Sequence, residues 1–406
     1  MRRMARILRL IALFACPALL CGALSLAAEG EPAADDESTV VEKLLDEGEA
    51  APVEPQPELS PEMAAMRDGV RRALAMIAKQ PFNTRDNTPD NVMELSLAFG
   101  AASNVRYGGP SQKSINAIGC LAWNYPCAGY RLLSTGEGRV MARLGYALQT
   151  RPAQFLAVLA QSGVPVDYEV QAGEFRGTVA DLVEFEKRNV RGGADLSFAL
   201  IGLMRYLKDD PNWENDLQEE WSIERLIREE LARSPNRGES DVTDRLMGLS
   251  YAVDRRAKRE LPLEGEFLTA QRHLAQYQDF TLGLQNPDGT WHPDFFAHRG
   301  TSRDTEGLLR STGHILEWLV FSLPDDRLED PRVVRSVTYL AKRLGNQRTR
   351  WNVTSKTPSD FRGLMHATHA LRIYDRRVFQ PLDPKEPDAE EEEEAAETLA
   401  YRSTPE

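Results

Sequence analysis

All six histidines of the chain lie between His273 and His369, and several are spaced for chemistry. His314 and Glu317 stand one helical turn apart in GHILEW, and His366 and His369 stand three apart in HATH. A histidine titrates near neutral pH, so beside a carboxylate it can move a proton next to a carbonyl or hemiacetal. A His-x-x-His pair can also hold a metal ion. The sequence identifies no third ligand for it, although His314 or Glu317 would supply one if the two segments met. Between these sites, residues 292–304 place His292, Asp294, His298, Arg299, Arg303 and Asp304 among Phe295 and Phe296, a loop suited to a polar ligand. Each place has an ordinary reading as well: a core His bonded to Glu317, packed histidines on a last helix, a structured loop.

These side chains need elements to hold them. At about 100° per residue, His314, Glu317, Trp318 and Phe321 share one helix face, and Leu316, Leu319, Val320 and Leu323 the other. A helix over 305–323 is therefore buried on both sides, with its polar, aromatic face expected toward a cavity. On this view His314, Glu317 and His366 are candidate catalytic residues. Trp318, Phe321, His292, His298, Arg299 and His369 are candidate binding residues. No H-E-x-x-H, phosphate-binding loop or dinucleotide fingerprint occurs. GLSYA (248–252) follows no strand, so it is not a nucleophile elbow.

Helical periodicity predicts helices near 62–79, 89–103, 137–149, 152–162, 178–190, 194–208, 222–233, 241–256, 264–285, 305–323, 331–344 and 360–377. Thr178 with Asp181, Ser222, Asp330 before Pro331, and Ser359 read as caps. Asp325-Asp326 with Glu329-Asp330 is superficially a metal-diphosphate motif, but it caps the helix from 331. No alternating run makes a convincing strand; 164–175 suits a short hairpin. Similar segments begin near 193, 242, 307 and 361, spaced by 49, 65 and 54 residues. Each repeat has room for two antiparallel helices, which close as a solenoid or as an α/α barrel. The repeated helices are rich in Gly, Ala and Ser and suit an inner ring. Their charged partners (222–233, 264–285, 331–344) suit an outer one. The fold class expected is all-α, an α/α toroid over 61–380.

At Gln285-Asn286-Pro287-Asp288-Gly289-Thr290-Trp291 the chain resembles the QW-type repeat of squalene cyclases and the helix-to-turn junctions of protein prenyltransferase β subunits. The resemblance implies an α/α toroid in which Gln285 and Trp291 are structural and tie neighbouring hairpins. The residue types suit that role. Pro287 and Gly289 favour a tight turn, Gln285 can satisfy carbonyls at the preceding helix end, and Trp291 supplies burial. The catalytic signatures of those enzymes are missing: there is no Asp-x-Asp-Asp acid and no Asp/Cys/His zinc set. From about Asn116 to Phe379 the chain is also similar to an uncharacterised family of exported bacterial toroid proteins, through INAIGCLAWNYPCAGY, EWSIERLIREEL, STGHILEWLVFSLP and HATHALRIYDRRVF. That likeness brings no chemistry. GH-x-x-E-W with a later His resembles the N-acylglucosamine and cellobiose epimerases, α/α barrels that use a His–Glu pair and a later His as acid and base on sugars. It implies those roles for His314, Glu317 and His366 or His369, although the later His follows here after only 52 to 55 residues, less than in that group.

Charge and composition bound the rest. The net charge is −13, but it belongs to the ends. Residues 1–27 carry four Arg and no acid, 29–62 carry −11, and 383–406 carry −8 with five consecutive Glu at 390–394, leaving +2 elsewhere. A near-neutral folded region without a basic stripe argues against nucleic-acid binding. Arg2, Arg3, Arg6 and Arg9 before an apolar run ending at Ser25-Leu26-Ala27 read as a signal peptide over 1–27, with an uncleaved membrane anchor as the alternative. No other stretch is long and apolar enough to span a bilayer. Residues 28–60 read as a disordered acidic, proline-rich linker and 381–406 as a disordered acidic tail. Export makes a Cys120–Cys127 disulfide plausible, with a pair of buried thiols the alternative. The expectation is an exported, periplasmic or extracellular protein of the cell envelope. Two functions stay open: a ring that binds a ligand or envelope partner through its cavity, or a cavity enzyme acting on a carbohydrate or similar polar substrate by His/Glu acid–base chemistry. Cofactor and metal are not fixed by sequence.

Overall fold

The computed structural model describes residues 59–207, 212–233, 241–349, 351, 353–354 and 357–379. The signal peptide, nearly all of the linker and the acidic tail lie outside the described residues. Within them the chain is mostly helical, with no closed sheet. The helices are α1 Pro61–Ala78, α2 Pro89–Phe99, α3 Ala117–Ala122, α4 Gln154–Gln161, α5 Val179–Asn189, α6 Ser197–Tyr206, α7 Ile223–Ala232, α8 Asp241–Lys258, α9 Gly265–Gly283, α10 Thr305–Ser322, α11 Pro331–Leu344 and α12 Pro358–Tyr374. No described helix is long and apolar enough to cross a membrane.

The starts follow from capping chemistry. Ser60, Thr88, Asp330 and Thr357 each precede a proline at the first helical position and accept a backbone N–H from the first turn. The last helix thus begins at Pro358 under a Thr357 cap, and Ser359 lies inside its first turn.

Three expectations fail locally, while the hairpin expected near 164–175 does form. Four two-stranded antiparallel hairpins stand between helices: β1 Asn104–Arg106 with β2 Ser114–Asn116, β3 Leu133–Gly136 with β4 Arg139–Ala142, β5 Glu169–Ala172 with β6 Phe175–Thr178, and β7 Trp213–Glu214 with β8 Glu220–Trp221. The helix expected over 137–149 is replaced by β3–β4. Glu137 and Gly138 both take positive φ (52° and 74°), the backbone of a two-residue hairpin turn that a helix cannot contain. The short helix α3 is absent from the sequence expectation, because its six residues are too few to show a period.

The helices alternate in burial. In α10 nearly every residue from Gly307 to Val320 is buried, and in α4 every residue from Gln154 to Ala160. By contrast α11 buries one face only, through Val333, Val337, Leu340 and Leu344. The packing follows the same alternation: α2 meets α4, α4 meets α6, α6 meets α8, α8 meets α10, α10 meets α12, and α12 returns to α2. The odd-numbered helices pack on these, and α11 also packs on α1.

The tightest approach is between α10 and α12. A Cβ on Gly313 would stand 2.8 Å from the backbone nitrogen of Ala367, so these helices meet backbone to backbone. That contact sets His314 beside His366. The turn before α10 is fixed as firmly. Gly289 (φ 89°) presses on the Arg335 carbonyl. The Gln285 amide donates to the Arg332 carbonyl and to Ser336 Oγ, both at 2.7 Å, and accepts from Arg335. Gln285 therefore serves α11, the next helical pair, and not the end of its own helix. Trp291 is fully buried; its indole N–H donates to the Thr281 carbonyl of α9 at 2.8 Å, and its backbone is held by Ser311 and Thr312 of α10.

Candidate functional site

His314 and Glu317 on α10 face His366 and His369 on α12. The Glu317 carboxylate accepts from both: His366 Nδ1–H donates to Oε2, and His369 Nδ1–H donates to Oε1 at 2.5 Å. The His314 and His366 rings lie 3.8 Å apart between centroids. Behind them stands α2. His366 Nε2 is 3.4 Å from Glu94 Oε2, in ion-pair range but not in hydrogen-bond geometry. Arg362 donates to Glu94 Oε1 at 3.0 Å and to Asp90 Oδ1 at 2.8 Å.

The cluster is buried: His314 is 3 %, Glu317 4 % and His366 9 % exposed. Burial and neighbours therefore push these groups apart in pKa. Burial opposes a charge on His366, yet Glu317 and Glu94 outweigh it and raise its pKa to about 9. Burial likewise opposes the Glu317 charge, but His366 and the two hydrogen bonds bring it well below the usual carboxylate range. Burial, aided by the His366 charge, takes His314 far down. His369 also falls through burial, against its bond to Glu317. Burial raises Glu94, against His366 and Arg362. At neutral pH the group reads as neutral His314, imidazolium His366 and carboxylate Glu317. Neither ring nitrogen of His314 makes a hydrogen bond among the described residues.

The surrounding charges come from the N-terminal ends of the even-numbered helices and the residues just before them. Arg362 reaches Thr150 before α4 at 3.1 Å. Arg151 pairs with Asp195 before α6 and lies 3.4 Å from Asp244 of α8. Arg310 of α10 lies 3.6 Å from Asp360 of α12. Burial raises the Asp244 carboxyl to about 6, against the nearby Arg151. Six helix N-termini thus share one charged end, where partial positive charge accumulates.

The other expected site residues distribute differently. His292 and His298 lie 4.1 Å apart between ring centroids, each 3.5 Å from Asp294 Oδ2, on the loop before α10. Phe295 from this loop is buried, takes φ 52° and packs 5.9 Å from the His314 ring. Arg299 is exposed. Trp318 is fully enclosed and donates to Ser250 Oγ of α8 at 3.0 Å, so it packs the interior and offers nothing to a ligand. Phe321 stacks on Tyr251 and lines a groove of about 820 Å³ with Ser250, Asp254 and Arg377, away from the histidines. One helical face thus splits between α8 and α12 because α10 is flanked on both sides. Cys120 and Cys127 are buried thiols with sulfurs 3.7 Å apart.

Among the described residues, two groups have donor atoms mutually within 4.8 Å and could hold a cation: buried His314, Glu317 and His366, and the more exposed His292, Asp294 and His298. Sequence reasoning missed Asp90, Glu94 and Arg362. Their signal was present, as two acids one turn apart in an otherwise apolar helix, PDNVMELSLAF, and an Arg one turn before His366. Compared with protein-family models, curated proteins and solved structures, the chain matches none.

Proposed function

We propose that this chain is an exported cell-envelope α/α-toroid protein that binds a carbohydrate or similar polar ligand at the charged end of its inner helices. In this reading α2, α4, α6, α8, α10 and α12 form the inner ring and the odd-numbered helices the outer one. The return of α12 onto α2 supports closure. Export rests on the arginine-led apolar leader. The observation that carries the binding reading is the gathering of Arg151, Arg310 and Arg362 with Asp195, Asp244 and Asp360 at one end, above His366 and Glu317. Such alternating donors and acceptors suit hydroxyl-rich ligands. A panel of mono- and oligosaccharides is expected to raise the melting temperature of the wild type. The increase is lost in Arg151→Gln, checked for folding by circular dichroism. No shift with any sugar at millimolar concentration sinks the reading.

A second reading has one observation in its favour: the His314 and His366 rings lie 3.8 Å apart between centroids. Burial lowers the pKa of His314, while against burial Glu317 raises that of His366, so the two could act as base and acid. It makes the chain a cavity enzyme, with Glu317 orienting His366.

A further inference from the structure

The cluster between α10 and α12 carries an inference that goes beyond ligand binding and rests on the packing of those two helices against α2. We propose that His314, Glu317 and His366 bind a first-row divalent transition-metal ion, of the zinc or iron(II) class, with His369 and Glu94 holding the ligands in place.

Three observations point to the same ion. The first is the donor set. Two imidazoles and one carboxylate, buried, with donor atoms mutually within 4.8 Å, match the two-histidine, one-carboxylate ligation such ions take. Tetrahedral ligands about 2.0–2.1 Å from a metal stand about 3.4 Å from one another, so the set reaches bonding geometry when the His366–Glu317 hydrogen bond opens and the more distant donors draw in. The second is His314. Its ring is 3 % exposed, its nitrogens make no hydrogen bond among the described residues, and it stands beside the other two donors, so a ring lone pair is available to an ion. The third is charge. Asp90, Glu94 and Glu317 are 3–5 % exposed at their side chains; Arg362 meets the first two and His366 the last two. A divalent ion ligated by His366 and Glu317 replaces the positive charge of the imidazolium beside these acids.

The neighbours fit this role. Metal-binding histidines usually donate their second N–H to a carboxylate. With Nδ1 of His366 turned to the Glu317 side, its Nε2 faces Glu94 at 3.4 Å. His369 donates to the Oε1 oxygen of Glu317 and leaves Oε2 on the His366 side. On binding, His366 gives up its Nδ1 proton to solvent, and the ion takes its place once the two donors move apart. The donors differ in type from an Asp/Cys/His set and need no cysteine.

The test uses the whole chain with His298→Ala as background, which dismantles the exposed loop cluster. The protein is stripped with chelator, reloaded with Zn2+ or Co2+, desalted and assayed by elemental analysis, with cobalt read by its visible absorption. About one equivalent of metal is expected in the background. More than tenfold less is expected in His314→Ala and in the nearly isosteric Glu317→Gln, both checked for folding by circular dichroism. His369→Gln is expected to retain metal. Less than a tenth of an equivalent in the background overturns the proposal, as does full retention in Glu317→Gln. Sugar-induced melting shifts are read on separate samples, so loss of the ligand reading leaves this result standing, and the reverse.

Discussion

Glu186 shows how far a single side chain can shift the pH response of this protein. It lies on α5, 8 % exposed, and its carboxylate makes no hydrogen bond or ion pair among the described residues. Burial raises its pKa from 4.5 to about 7. The folded chain therefore holds this proton more tightly than the unfolded chain does. The associated stability is fully present below about pH 4.5 and lost as pH rises through about 7. A shift of that size corresponds to roughly 3 kcal/mol. Glu186→Gln is expected to match the wild type near pH 4 and to be more stable by roughly that amount at pH 8, measured by urea denaturation at both values. An unchanged difference between the two pH values overturns the assignment. Nothing in the sequence flags this residue: VADLVEFEKRN reads as an amphipathic helix whose acids face water, and only packing decides that one does not.

At the scale of elements, the α10–α12 contact governs the candidate site. Gly313→Ala places a methyl 2.8 Å from the Ala367 nitrogen, where backbone has to move. Overpacking of this kind costs about 1–3 kcal/mol. The variant is expected to lower the urea midpoint and to disturb the His314–His366 contact, seen as shifts of their imidazole NMR signals. Unperturbed signals would separate the glycine from the site. His314 and Glu317 share a face by helical period alone, and that face was readable from GHILEW. Its partners were half-readable: His-x-x-His announced two ligands on one side of α12, and the close approach through Gly313 brought Glu317 to both. Asp90 and Glu94 come from about 220 residues earlier in the chain, beyond the reach of any local period.

At the scale of the molecule, contacts between the first and last described segments hold the fold together. Arg362 joins Asp90 and Glu94 across sequence separations of 272 and 268 residues, Arg71 joins Asp375 at 2.9 Å, and α1 packs on α11. Removing Arg362 leaves two buried carboxylates without their cation, a loss of about 3–5 kcal/mol. Arg362→Ala is expected to lose that much stability at pH 8 and clearly less near pH 4, where protonation relieves Glu94, whose pKa burial raises. An equal loss at both pH values would show that packing, and not charge, joins the ends. The sequence by itself determined the helical class, nearly all helix positions, most of the capped starts and the two pairs of chemical residues, because period and capping are local properties. It misread 137–149, where the positive φ of Glu137, Gly138, Gly145 and Ala147 outweighs an apolar period. Only tertiary structure decided that His314, Glu317, His366, His369, Glu94 and Arg362 form one buried group, that Trp318 packs the interior, and that Gln285 serves the next helical pair. Those outcomes depend on which helices meet, and a chain's local pattern does not encode that choice.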